Sequence, residues 1–156
     1  MFTGSIVALI TPFQNGEVDE PTLRNLIRFH LDNGTNGIVP CGTTGEAVTL
    51  TRMEWEQVVS VTIEEVNGRI PVIAGAGTND TARTIDMVRY ARSAGADGAL
   101  VVTPYYNKPT QRGLIAHYTE IAQHVDLPLI VYNVPGRTGG NVLPETMATL
   151  AQIDTV

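Results

Sequence analysis

Short apolar runs rich in Val and Ile alternate along the chain with longer stretches of helical period. The runs begin near Ser5 (SIVALI), Gly37 (GIVP), Ile70 (IPVIA), Gly98 (GALVV) and Pro128 (PLIVY), so successive starts lie 28 to 33 residues apart, the size of one strand-plus-helix unit. None of the runs alternates polar with apolar, and a strand that is apolar throughout is buried on both faces, as in a parallel sheet. The intervening stretches carry helix-end signals. Leu23, Leu26, Ile27 and Leu31 share one face after Asp19 and Pro21, with Gly34 as the stop. Thr51 and Glu54 stand in capping-box spacing ahead of Val58, Val59, Ile63 and Val66, and Gly68 follows. A third helix is expected between Asp80 and Gly95, a fourth through Leu114, Ile115, Tyr118 and Ile121, and a fifth from Pro144. Two helix-to-strand links are near copies, Gly34-Thr35-Asn36-Gly37 and Gly95-Ala96-Asp97-Gly98.

Two architectures accept five βα units. A doubly wound sheet of the flavodoxin type would be complete at 156 residues. A (β/α)8 TIM barrel needs about 250. The loops favour the barrel: the turn after the first run reads Thr11-Pro12-Phe13, without a Gly-rich phosphate loop, while polar residues crowd the ends of the second, fourth and fifth runs. Polar residues at several strand C-termini are what the catalytic face of a barrel requires. The expected fold is therefore α/β, a TIM barrel of which residues 1–156 form the N-terminal portion of one domain. On this reading Thr155 and Val156 fall where a sixth strand is due, and the chain stops mid-barrel.

Composition narrows the function classes. With 43% hydrophobic residues and a net charge of -6, the chain has the means for a folded core and lacks the basic surface that phosphate neutralisation demands, so no nucleic-acid partner is expected. No apolar run approaches the roughly 18 residues of a membrane span. One cysteine, Cys41, cannot form an internal disulfide, and Met1 to Ile10 lacks a basic segment followed by an apolar stretch; a cytoplasmic location is expected.

Three clusters could carry chemistry. Gly42-Thr43-Thr44-Gly45-Glu46 follows the second run, and its glycines let consecutive N–H groups and two hydroxyls converge on a carboxylate or phosphate, unless the segment is an ordinary Gly/Thr turn. Thr103-Pro104-Tyr105-Tyr106-Asn107-Lys108-Pro109 follows the fourth; a phenol passes protons when a polar network supports it, and the competing role is packing at a subunit contact. Tyr132-Asn133-Val134-Pro135-Gly136-Arg137-Thr138-Gly139 follows the fifth, with Arg137 on a turn stiffened by Pro135 and freed by Gly136, placed to grip a carboxylate with two N–H groups or simply solvated. His30, His117 and His124 lack metal-ligand spacing and are read as packed or exposed, Cys41 as a small buried residue, Trp55 as core or interface, and Glu46 as a brace for its loop. No metal or cofactor is implied.

GTTGE at 42–46, TPYYNKP at 103–109 and YNVPGRTG at 132–139, with FTGSIVALITPF at 2–13 and LPET at 143–146, resemble the dihydrodipicolinate synthase family. The resemblance implies a (β/α)8 barrel, a homo-oligomer, and condensation of pyruvate with aspartate semialdehyde on the route to lysine and diaminopimelate. It implies catalytic roles for Thr43, Tyr106 and Tyr132 as a proton relay, with Tyr132 the donor near a Schiff base and Tyr106 at a subunit contact. Thr44 matches a pyruvate-carboxylate contact, and Arg137 the clamp on the aldehyde's carboxylate. N-acetylneuraminate lyases share the barrel and a similar turn but generally lack the arginine of VPGRTG, so Arg137 points to the synthase. Ala47 replaces a common Ser, and positions resembling a lysine-feedback pocket carry Arg52, Trp55 and Arg83, so lysine inhibition is not implied.

That chemistry needs an amine to attack the ketone and form an imine, whose loss of a proton leaves a carbon nucleophile. The one lysine present, Lys108, is read as solvated, and a solvated amine is protonated at neutral pH. In the family the reactive lysine lies in strand six, beyond Val156. Two further readings stay open: an inactive half-barrel fragment or association module, and a complete flavodoxin-like phosphate-binding domain.

Overall fold

A computed structural model describes residues 2–156. In chain order its elements are β1 (Ile6–Ala8), β2 (Phe13–Gln14), β3 (Glu17–Val18), α1 (Glu20–Asp32), β4 (Gly37–Val39), α2 (Arg52–Val66), β5 (Ile73–Gly75), α3 (Thr81–Ala94), β6 (Gly98–Val102), α4 (Gln111–His124), β7 (Leu129–Tyr132), α5 (Pro135–Thr138) and α6 (Pro144–Leu150). The five apolar runs are β1, β4, β5, β6 and β7. The hairpin β2–β3 and the single turn α5 are additions to the sequence pattern. In the hairpin, Phe13 faces Val18 across Asn15 and Gly16, both at positive φ (55° and 87°), which is the backbone an Asn-Gly turn supplies.

The chain divides into two compact units, one comprising the chain up to Gly75 with Ser93–Asp97, the other Ala76–Arg92 with Gly98–Val156. In the first, β1 and β4 pair in parallel, Ile6 opposite Gly37, and Ile38 bridges in parallel to Val72. The near-copied links explain how the strands find their register. Asn36 donates its N–H to the Ser5 carbonyl (2.7 Å) and accepts the Ser5 N–H on Oδ1 (2.9 Å). Asp97 repeats the pattern on Val72, its N–H on the carbonyl at 2.9 Å and its Oδ2 taking the N–H at 2.8 Å. Each is a two-bond clip on the residue just before a strand, Ser5 ahead of β1 and Val72 ahead of β5.

Leu23 and Ile27 of α1 and Val58, Val59 and Val66 of α2 are buried where these helices pack together. At the edge of that contact Arg24 reaches Glu20, Glu64 and Glu65, and Arg28 reaches Glu65 at 2.6 Å; the Arg28 hydrogen bond, then Arg24, holds the Glu65 carboxyl below its usual range. The expected capping box forms at Thr51 and Glu54, but the left-handed cap that ends α2 is Asn67 (φ 47°), with Gly68 after it. Trp55 is buried and donates its indole N–H to the Gly75 carbonyl at 2.7 Å. Gly75 itself lies against the strand-end backbone: a Cβ there would fall on the Cys41 carbonyl and come within 2.9 Å of the Gly42 nitrogen.

In the second unit β6 and β7 pair in parallel from Ala99 opposite Leu129 to Val102 opposite Tyr132. The ladder continues through Thr103 N–H to the Tyr132 carbonyl (3.0 Å), and Leu129 donates to the Thr155 carbonyl (2.6 Å), where the sequence pattern expects a further strand. Tyr118 of α4 is buried, bonds the Val101 carbonyl through its hydroxyl at 2.8 Å, and has its phenol pKa pushed up by burial. Beside it, His117 is buried with Nδ1 2.9 Å from the Thr81 hydroxyl, while Nε2 has no hydrogen-bond partner among the described residues. Burial lowers its pKa to about 4 against a weaker opposing pull from Asp80.

Two outcomes follow. Gly75→Ala drives a methyl into the Cys41 carbonyl and lowers unfolding free energy by about 2–3 kcal/mol, read by denaturant titration; an unchanged midpoint would contradict the packing described. His117 binds its proton more weakly folded than unfolded, so its contribution is complete above pH 6.5, the unperturbed value, and is lost as pH falls towards about 4. Unfolding free energy measured across that window falls in the parent protein and falls less steeply in His117→Phe.

Candidate functional site

The turn after β4 is built on strained backbone. Cys41 and Glu46, neither a glycine, hold φ of 53° and 59°. Within it the amides of Gly45, Glu46 and Ala47 are already spent, on the carbonyls of Gly42 (3.1 Å), Thr43 (3.1 Å) and Gly42 (3.3 Å). Thr43 and Thr44 are exposed, and the amides and hydroxyls of these two residues are a smaller set of donors than the run of consecutive N–H groups expected from the sequence. Thr11, buried, secures the turn through its hydroxyl on the Gly45 carbonyl (2.8 Å). Glu46 braces the loop with its carbonyl, which accepts both the N–H (3.0 Å) and the hydroxyl (2.9 Å) of Thr49, rather than with its carboxylate. Burial pushes the Cys41 thiol up to about 12, so it stays protonated and unreactive.

The segment after β6 presents Tyr106 at the tip of a γ-turn. Asn107 N–H bonds back to the Tyr105 carbonyl (2.9 Å) and Tyr106 takes φ 72°, the strained hand of that turn. Tyr105 is half-buried, whereas Tyr106 is 89% exposed, so one tyrosine of the pair is turned outward. Asn107 anchors the tip by donating Nδ2 to the Asn79 carbonyl at 2.7 Å. Lys108 is exposed, also at positive φ (47°), and lays its stem across Gly139, where a Cβ would approach Cε to 2.8 Å. The segments bearing Tyr106 and Arg137 therefore touch.

Tyr132 closes β7 and is half-buried. The expected Pro-Gly turn after it is a single helical turn, α5, with Pro135 in its first turn and the left-handed residue at Gly139 (φ 71°) instead of Gly136. The turn is closed on itself: Arg137 and Thr138 donate their amides to the Val134 carbonyl at 2.9 and 3.1 Å, and Gly139 donates to Pro135 at 2.9 Å. Arg137 extends exposed from it. Sequence reasoning gives Asn133 no role, yet its side chain donates to Asn141 Oδ1 (2.9 Å) and accepts the Val142 N–H (3.2 Å). A polar residue directly after a strand was the available signal.

Thr43 and Thr44 thus share one turn in the first unit, and Tyr106, Tyr132 and Arg137 lie in the second, each just at or beyond the C-terminal end of a parallel strand. Among the described residues no group of three or more His, Cys, Asp or Glu is gathered as a metal would need, and no helix is long and apolar enough to cross a membrane.

The family model for the dihydrodipicolinate synthetase family matches residues 1–156. The chain belongs to that family. It is 62% identical over 151 residues to the 4-hydroxy-tetrahydrodipicolinate synthase of Geobacter sulfurreducens, covering 97% of this chain and 52% of that protein. With the synthase of Syntrophus aciditrophicus it shares 56% identity over 156 residues, 100% of this chain and 54% of the relative. The crystal structure of the chloride-inhibited dihydrodipicolinate synthase from Acinetobacter baumannii complexed with pyruvate superposes with a TM-score of 0.98 at 51% identity, covering 100% of this chain and 54% of that one. The chain spans about half the length of the curated relatives it matches. Its fold is α/β with parallel strands and covers part of the barrel, which sets aside the flavodoxin-like alternative.

Because the Tyr106 ring is exposed and its backbone strained, Tyr106→Gly leaves thermal stability unchanged or raises it by up to about 1 kcal/mol. A melting temperature lowered by several degrees would show that the ring is held by contacts the chain itself supplies.

Proposed function

We propose that this chain supplies the substrate rim of a 4-hydroxy-tetrahydrodipicolinate synthase, a lyase that condenses pyruvate with aspartate semialdehyde through a lysine Schiff base in lysine and diaminopimelate biosynthesis. The observation that carries the reading is the match of the family model to all of residues 1–156. Supporting it, Thr43, Thr44, Tyr106, Tyr132 and Arg137 stand at the ends of β4, β6 and β7, the end of a barrel strand from which catalytic residues come.

Each role follows from chemistry. The amides and hydroxyls of the exposed residues Thr43 and Thr44 suit an anion, and Thr44 takes the pyruvate carboxylate. Arg137 offers paired N–H groups to the carboxylate of the aldehyde acid. Thr43, Tyr106 and Tyr132 pass the protons that imine formation, enamine formation and aldehyde addition release and consume, with Tyr132 nearest the imine. In that sequence the amine attacks the ketone and water leaves; the imine's methyl carbon loses a proton; the resulting enamine carbon bonds the aldehyde carbon, whose oxygen takes a proton. The amine is not Lys108, which is exposed and committed along its stem to Gly139. It is a lysine outside residues 1–156.

Oligomerisation belongs to the same reading. Tyr106 is 89% exposed, and a second copy of the chain is the proposed contact for it. A cytoplasmic location is proposed with the biosynthetic role.

Borohydride reduction in the presence of pyruvate tests the assignment. A full-length barrel carrying this segment gains one reduced pyruvate on a lysine other than Lys108, and Tyr132→Phe slows turnover about a hundredfold or more. The segment by itself keeps its mass. An adduct at Lys108 would move the amine into this chain and overturn the assignment.

A further inference from the structure

We infer that Gln111 is a positioning residue for Arg137: its side-chain amide clamps the segment leaving the arginine's helical turn and so fixes where the guanidinium meets a carboxylate. This rests on the role of Arg137 proposed above.

The turn carrying Arg137 behaves as one piece, because its backbone bonds close within residues 134–139 and the Thr138 hydroxyl shares its one proton between the carbonyls of Val134 (3.3 Å) and Gly140 (3.1 Å). A closed piece takes its orientation from its two ends. At the entry, Tyr132 is held in the ladder by the Thr103 N–H at 3.0 Å. At the exit no strand exists, and Gln111 supplies what a strand would. Its Nε2 donates to the Asn141 carbonyl (2.8 Å), and its Oε1 accepts the Leu143 N–H (3.1 Å) and the Thr146 hydroxyl (2.6 Å). Asn133 completes the bracket from the other side through Asn141 and Val142.

The clamp is anchored. Gln111 is the first residue of α4, directly after the cap Thr110, whose hydroxyl takes the Gly113 N–H at 3.2 Å, and the helix is fixed by buried Leu114, Tyr118 and Ile121. A primary amide of this length donates to one main-chain group and accepts from another. A carboxylate keeps the accepting half and loses the bond to Asn141; an aliphatic side chain loses both. The segment is largely exposed, so water replaces the lost bonds, and the main loss is position. Bidentate capture of a carboxylate is sensitive to displacements on the scale of 1 Å.

In a full-length barrel carrying this segment, Gln111→Leu raises KM for the aldehyde acid about tenfold while KM for pyruvate and the melting temperature stay as in the parent. Gln111→Glu falls between the two, and Arg137→Ala sets the reference with a rise of about a hundredfold. Should Arg137→Ala raise that KM and neither Gln111 variant do so, the clamp is refuted while the proposed function stands. Equal rises in both KM values together with a lowered melting temperature would mark Gln111 as merely structural and refute it too. If Arg137→Ala leaves the aldehyde KM unchanged, the role of Arg137 fails, and the clamp with it. Where Gln111→Leu does not fold, the intermediate KM of Gln111→Glu decides.

Discussion

A parallel strand carries its functional loop at one end and its alignment at the other. Residues rise by about 3.3 Å along such a strand, and a slip of one residue turns every side chain to the opposite face. The loop at the C-terminal end is therefore only as well placed as the start of the strand. In this chain the start is fixed by two-bond clips: Asn36 on Ser5 and Asp97 on Val72. Both clip residues stand immediately before a glycine, in the two near-copied links. The Thr43–Thr44 turn follows β4, whose register with β1 is set this way.

Much of this was legible. Apolar runs without alternation predict buried parallel strands, and the near-identical links around Asn36 and Asp97 announce a repeated unit before any contact is known. What escaped the pattern is short. The hairpin of Phe13–Gln14 and Glu17–Val18 has two residues a strand, too few for any period to show, although its Asn-Gly pair is a turn signal in its own right. The turn Pro135–Thr138 is four residues long and has no side-chain cap; its helical form depends on Val134 and Pro135 carbonyls that sequence cannot assign as acceptors.

The candidate site divides along a similar line. The kinds of group present, paired threonines, a tyrosine at a strand end and an arginine on a Pro-Gly turn, could be read from the chain. Their donor capacity could not. Residues 42–46 offer five amides in principle, but those of Gly45 and Glu46, with that of Ala47 beyond them, close the turn on itself. The amides of Asn107, Asn133 and Gln111 escaped for a related reason: a side-chain amide has no periodicity, and its partners at Asn79, Asn141 and Leu143 lie across loops.

Strain and bracing belong together here. Cys41, Glu46, Tyr106 and Lys108 all hold left-handed backbone, each at a cost of about 1 kcal/mol or more that has to be offset by the surrounding bonds. The offsets are identifiable: Thr11 and Thr49 on the turn of Glu46, Asn107 on the tip at Tyr106. Relaxed loops would sample many positions, and the entropy of ordering them would be lost at each binding event. Strained but braced loops lose that freedom on folding instead. It follows that side-chain amides with no periodicity of their own, such as Asn107, Asn133 and Gln111, are what hold such loops still.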